Sequence, residues 1–426
     1  MYLTGLTHRD ELFDLTVRWL NDDFHQGDGR IITGIFLYEG FISGSFVIPR
    51  MVHFLRTIFG TNLEMERLRQ KHLLRERLIQ YMSQLTGRTA ELVRTFRENP
   101  EFFFPRLSID AVLVVASGKR LVSIGRIKRL SRVAEKVSFR LMDALFQDIK
   151  AEAQRIAEKR AALAGLPLTS LISSPDTMQQ DFIDAEMAVA ACFRNKAMKF
   201  ERDAFAIDDM LGFKIIGEPE ELDAISDRLK EEPGFKIVEI QEHVGNYNAV
   251  NLSVDLQLPE PGELMNLFQG LDWSIAARHG LDPDEARRSF PAYLERGSRT
   301  VRMELILTTY PELMESEFGR SLHELRILQL RERTPYCGLI AQNAGYLIEY
   351  LLTLAMAPVV DVTELPIKLY GRYLPETIGA VKCALFGNDI DGSLLNAFCL
   401  GSGCTDDFCL LTSGQNAVPV YGNAFS

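Results

Sequence analysis

Apolar positions along this chain change period several times, and each change marks an element. Residues 1 to about 105 read mostly as helix. In MERLRQKHLLRERLIQYMSQL (65–85), Leu68, Leu73, Leu74, Leu78 and Met82 stand near helical spacing amid dense charge. Pro105 breaks this region, and SIDAVLVVAS (108–117) follows as a compact apolar run, either a buried strand or a short core helix. Between 125 and 165, Leu130, Val133, Val137, Leu141, Leu145, Ile149 and Ile156 recur at three- and four-residue steps. This predicts a long amphipathic helix that Gly165 and Pro167 end. After a polar connection at SSPDT (173–177), a second helical stretch leads to Lys199.

The character then becomes alternating. GFKII (212–216) reads as a strand, PEELDAISDRLKEE (219–232) as a helix, FKIVEI (235–240) and NAVNLSVDL (248–256) as strands. A polar segment from Pro259 to Ser298 precedes TVRMELIL (300–307). There Val301, Met303, Leu305 and Leu307 share one face and leave Arg302 and Glu304 on the other. The fold class expected is α+β, a mixed sheet with a helical N-terminal region (1–120), a central domain (121–335) carrying insertions at about 140–200 and 259–298, and a mostly helical C-terminal extension (336–426).

Composition narrows the function classes. The chain has 426 residues, 46% hydrophobic and 25% charged, as an ordinary globular protein does. Its net charge of −11 argues against broad nucleic-acid binding, so an anionic ligand has to be held locally. The N-terminal MYLTGLTHRDELFDL lacks a basic stretch followed by an apolar one, so no signal peptide is expected and a cytoplasmic location is the default. The apolar run Cys337–Val360 is interrupted by Gln342, Asn343 and Glu349 and reads as a buried core helix rather than a membrane span. Cys399, Cys404 and Cys409 lack paired CxxC spacing and nearby histidines, so they read as small buried hydrophobes rather than zinc ligands.

The stretch IDDMLGFKII (207–216) places Asp208 and Asp209 directly ahead of a strand, where short carboxylates either form a turn or offer hard oxygens to a cation. A carboxylate at a strand start, with another on the polar face of a neighbouring strand, is the minimum for holding Mg²⁺ against nucleotide phosphates. Asp209 and Glu304 form such a pair.

Taken with the residues between and after them, the pattern over roughly 200–325 resembles the synthetase domain of the RelA/SpoT family of alarmone synthetases. The family's Asp-x-x-Gly/Ala-x-Arg strand motif is matched by Asp209-Met-Leu-Gly212-Phe-Lys214, with lysine for arginine. Its Asn-Gly-Tyr-Gln-Ser-x-His segment is matched by Gly245-Asn246-Tyr247-Asn248-Ala249-Val250-Asn251, with Asn251 in place of histidine. Glu317, Gly319 and His323 follow Glu304 at the family's intervals, while Ile306 and Thr308 replace a glutamine and an arginine. Arg126, Lys128 and Lys136 reproduce the spacing of the ATP-binding segment if a long helical insertion separates them from Asp209. A rival alignment uses SSPDTM (173–178) with Lys196 and Lys199. Lys128, Arg132 and Lys136 also fit the solvated face of an amphipathic helix.

The resemblance implies a Mg²⁺-dependent pyrophosphokinase that uses ATP and GDP or GTP, with Asp209 and Glu304 at the metal, Glu304 helping to deprotonate the acceptor, and Tyr247 stacking on guanine. Arg126, Lys128, Lys136, Lys214 and His323 would serve the nucleotides. A homo-oligomer is compatible with this, and no membrane is involved. No histidine is followed by aspartate, so the family's companion hydrolase is not expected. Two other readings stand beside it: a degenerate synthetase fold that binds nucleotide or protein without catalysis, and a transferase acting on an RNA end.

Overall fold

The structure, a computed structural model, describes residues 1–82, 87–103, 107–171, 174–245, 248–319 and 338–386. The described residues form an α+β fold around a seven-stranded mixed sheet. A short parallel pair, β1 (Tyr2–Leu3) and β5 (Ala206–Ile207), lies apart from it. The large sheet uses β2 (Leu63–Gln70), β3 (Ser108–Ala116), β4 (Arg120–Ile127), β6 (Leu211–Ile216), β7 (Phe235–His243), β8 (Ala249–Gln257) and β9 (Thr300–Thr308), in the order β2-β3-β4-β6-β9-β8-β7. The central β6–β9 pair is parallel, and the pairs β4–β6 and β8–β9 that flank it are antiparallel.

The strands form because alternate side chains sort to opposite faces. One face is largely apolar: Val114, Val122, Phe213, Ile215, Leu252, Val254, Met303 and Leu305 lie in the main core. Over it runs α6 (Leu130–Leu163), whose Val133, Val137, Leu141 and Leu145 are fully buried, each contributing about 1.5–3 kcal/mol. Gly125 is required here, since a Cβ would come within 2.7 Å of the Phe213 ring. The other face is divided. Its β2–β3–β4 part buries Leu68, Leu113, Val115 and Ile124 under α4 (Lys71–Gln80), α5 (Gly87–Glu98) and α12 (Tyr310–Phe318), forming a second core. On β6, β9 and β8 the same face carries Lys214, Arg302, Glu304, Asn251, Ser253 and Asp255, all half-buried.

Three expectations change. Residues 65–85 are not one helix: β2 runs to Gln70 and α4 begins at Lys71. The charges of β2 suit an edge strand. They are used laterally, Arg67 pairing with Asp110 at 2.9 Å and Glu66 accepting from Arg77 at 2.6 Å. The helical N-terminal region therefore also supplies β2 and β3, and β3 turns tightly into β4. The segment 125–165 starts as strand, and its helix begins at Leu130. The polar segment from 259 folds into α9 (Pro261–Leu267), α10 (Ile275–Arg278) and α11 (Pro283–Arg296). These deliver Phe268, Ile275, Phe290 and Leu294 to the main core, where Phe290 packs on Tyr38 and Phe41 of α2 (Asp28–Ile42).

The apolar run near 337–360 is the buried helix α13 (Leu339–Leu354), packed on α6. Among the described residues, the continuous helical stretch Asp28–Phe59 has the length and composition to cross a membrane, and 72% of its apolar window is buried inside the fold.

Candidate functional site

Strand register builds the polar face. Arg126 of β4, Gly212 of β6, Glu304 of β9 and Ser253 of β8 form one row across the sheet. Directly paired residues point to the same side. Glu304 leans over the neighbouring strand, so that a Cβ on Gly212 would lie 3.7 Å from Glu304 Oε2. Asn251 donates from Nδ2 to Glu304 Oε1 at 3.4 Å.

Asp208 and Asp209 separate into two roles. Asp208 accepts from Thr4 Oγ1 at 2.8 Å and from Arg302 at 3.3 Å, and Arg302 also holds Asp255, so it ties the N-terminal loop to β9. Asp209 turns to the cluster. The Lys128 backbone N–H donates to the Met210 carbonyl at 2.7 Å, which extends the β4–β6 pairing and sets the Lys128 side chain beside Asp209. Lys136 comes from the second turn of α6, and both ammonium groups ion-pair with Asp209 Oδ2. Burial pushes the Asp209 carboxyl up, but the two ammoniums outweigh it and hold it at about 2. Burial lowers Lys128 to about 8 despite Asp209, with Lys136 adding to the effect. Glu304 is raised, first by burial and then by the charge of Asp209, with Lys128, Lys136 and Lys214 opposing.

A second cluster adjoins the first. Glu317, at the end of α12, accepts from Arg126 at 2.8 Å and Lys214 at 3.3 Å, and Lys214 also donates to Ser316 Oγ at 2.9 Å. Burial raises the Glu317 carboxyl, and the surrounding cations, Arg126 and Lys214 foremost, reverse this and hold it far below the usual range. Lys214 is lowered by its burial, which Glu317 only partly offsets.

The structure thus gathers Asp209, Glu304, Lys128 and Lys136, and gives Arg126 and Lys214 to Glu317. Tyr247 and His323 lie outside the described residues, as do Cys399, Cys404 and Cys409. The alternative lysines go elsewhere: Lys196 pairs with Asp23 at 2.6 Å and Lys199 is exposed. Ser174 and Pro175 begin α7 (Pro175–Arg194), with Ser174 Oγ accepting from the Thr177 N–H at 3.1 Å.

No family model and no curated protein matches the chain. Among solved structures, it is similar to the small alarmone synthetase 1 from Bacillus subtilis, with 14% identity, a TM-score of 0.19, and coverage of 39% of this chain and 68% of that one. A likeness that loose assigns no activity. The chemistry must come from the cluster itself.

Sequence reasoning passed over two partners. Glu317 matched a spacing, but its grip on Arg126 and Lys214 needed the fold. Asn251 stood as a substitution, and its amide bond to Glu304 follows only from the β8–β9 register.

Proposed function

We propose that this chain is a Mg²⁺-dependent nucleotide pyrophosphokinase that moves a pyrophosphoryl group from ATP to the 3′-hydroxyl of GDP or GTP. One observation carries the reading: the carboxylates of Asp209 and Glu304 share a half-buried polar cluster with Lys128 and Lys136, outside both hydrophobic cores.

The donor set suits Mg²⁺, which commonly takes one or two carboxylates and completes its shell with phosphate and water. Among the described residues no three His, Cys, Asp or Glu side chains gather to hold a metal unaided, so phosphate has to supply the rest. Asp209 and Glu304 would hold the ion, which when bound neutralises charge on the polyphosphate.

The chain's own groups account for the other requirements. Lys128 and Lys136 transfer from Asp209 to the donor phosphates, which frees that carboxylate. Glu304, raised by burial and oriented by Asn251, is suited to take the proton of the attacking hydroxyl. The hydroxyl oxygen bonds to the β-phosphorus of ATP, the bond from that phosphorus to the α–β bridging oxygen breaks, and AMP leaves. Lys214 adds positive potential near Glu304 while fixed by Ser316 and Glu317. The same reading assigns acceptor stacking to Tyr247 and further nucleotide contact to His323.

A binding module without catalysis is the second reading. Ile306 and Thr308, where the resembling family has glutamine and arginine, favour it. Incubation with Mg²⁺, γ-labelled ATP and GDP or GTP separates the two: label on the acceptor together with AMP supports the enzyme. Nucleotide binding without transfer supports the module, and no transfer to any nucleotide or RNA acceptor removes the enzyme reading.

A further inference from the structure

Asp208 and Asp209 are adjacent and chemically alike, yet only one of them faces the lysines. β6 has β4 on one side and β9 on the other. Asp209 turns to Lys128, just past the end of β4, and to Lys136 of α6, whereas Asp208 turns to Arg302 of β9. Successive side chains of an extended segment point opposite ways, and a slip of one residue exchanges them. The choice between the two acids therefore has to be fixed by something outside the pair.

The N-terminal segment meets that need. β1 pairs with β5 immediately before the two acids, Tyr2 opposite Ala206 and Leu3 opposite Ile207. Thr4 N–H then donates to the Ile207 carbonyl at 3.2 Å, and the Arg302 N–H donates to the Thr4 carbonyl at 3.0 Å, so the segment is bonded to both the lead-in of β6 and the start of β9. Leu3 and Leu6 anchor it in the main core. Arg9 fastens it further, with Nη1 donating to the Thr4 and Thr300 carbonyls, each at 3.1 Å, and Nη2 to Ser298 Oγ at 2.7 Å.

The Thr4 side chain adds a contact that closing the fold does not require. It is buried, and its hydroxyl lies 2.8 Å from Asp208 Oδ1 and 3.1 Å from the Ile207 carbonyl, the two residues that lead into Asp209. The same oxygen of Asp208 accepts from Arg302 at 3.3 Å. A hydroxyl and a guanidinium thus hold one carboxylate on the β9 side, and the next residue is left to the β4 side.

We propose that Thr4, Asp208 and Arg302 form a register lock, in which Thr4 is a positioning residue that keeps Asp208 toward β9 and so presents Asp209 to Lys128, Lys136 and the cation. The lock rests on the metal-binding reading of Asp209 and Glu304 and goes further, giving a residue 204 positions earlier than Asp208 the choice between two equivalent acids.

Manganese titration of the full chain by electron paramagnetic resonance, with α,β-methylene-ATP as a donor that cannot break at the transferred bond, tests this without turnover. Thr4→Val, which keeps the shape and removes the hydroxyl, should raise the Mn²⁺ dissociation constant about three- to tenfold, and Thr4→Ser should restore it. Ser298→Ala, which loosens Arg9 on the same segment without touching Asp208, should bind as the wild type does. If Thr4→Val fails to fold, Thr4→Ala takes its place with the same expected rise. Unchanged affinity in the folded Thr4 variant overturns the lock and leaves the metal site standing. An equal loss in Thr4→Ser or Ser298→Ala overturns it in favour of a general role of the segment in the fold. A wild type that binds no Mn²⁺ under these conditions overturns the metal-binding reading itself, and the lock with it.

Discussion

Asp209 and Glu317 are both carboxylates held by two cations, in adjoining clusters on one face of one sheet, yet their surroundings differ. Glu317 is 4% exposed, sits beside Leu313, Met314 and Phe318 in the second core, and offers its backbone carbonyl to Arg75 at 2.8 Å. Asp209 is 23% exposed, and its partner Lys136 34%, at the end of a strand rather than within a core. Arg126 reaches Glu317 with a planar, preorganised guanidinium, whereas both partners of Asp209 are ammoniums on flexible stems that can change acceptor. Counting ion pairs would rank the two clusters as equals. Burial and the freedom of the partner separate the scaffold cluster from the candidate site.

The strongest attempt to break this comparison exchanges the carboxylates. Asp209→Asn or Glu304→Gln should lower pyrophosphoryl transfer by about 10²- to 10⁴-fold, with a smaller loss of stability than removal of the Glu317 charge causes, since neither side chain lies in a core. Transfer at the wild-type rate in both variants would remove these carboxylates from the chemistry.

Glu317→Gln should do the opposite kind of harm, leaving Arg126 and Lys214 without a counter-charge and costing about 3–5 kcal/mol in urea denaturation. Replacing Arg126, Lys214 and Glu317 together by Met should recover most of it. An equal loss of stability from Asp209→Asn would erase the distinction between the clusters.

Lys128→Ala with Lys136→Ala should raise the KM for ATP by about 10- to 100-fold, because two charge-assisted contacts to phosphate are lost. The same variant should bind free Mn²⁺ more tightly than wild type in electron paramagnetic resonance titrations, since Asp209 is released from its ion pairs. Full activity here would remove Lys128 and Lys136 from the donor clamp.

The smallest expected effect is a pH profile. With its folded pKa lowered to about 8, Lys128 carries its charge below that pH and loses it above. Therefore kcat/KM for ATP should fall above about pH 8, and Lys128→Arg should abolish the fall. Stability should move the other way: between about pH 8 and the ordinary lysine value of about 10.4, the unfolded chain binds more protons at this position, so its contribution grows with pH. Asp209, held at about 2, stays ionised throughout, and its pairing is lost only as pH falls from the ordinary carboxylate range through 2.

The sequence by itself determined which faces of the elements turn inward. Alternation in β6, β8 and β9 and the three- and four-residue steps in α6 follow from local geometry, and they placed Glu304 on the polar side of its strand. It misled where neighbouring elements contribute to one apparent period: Leu68 belongs to β2 and Leu74 and Leu78 to α4, joined only because both pack in the second core. The composition of the cluster was legible in the same partial way. Asp209, Glu304, Lys128 and Lys136 could be named, but not which cation meets which carboxylate, nor that Arg126 and Lys214 are committed to Glu317. Those pairings span separations of 73 residues for Lys136 and Asp209 and 191 for Arg126 and Glu317. Hydrophobic period specifies a face, whereas strand register and the path of a long helix specify neighbours, and only the assembled sheet brings such distant charges within bonding distance.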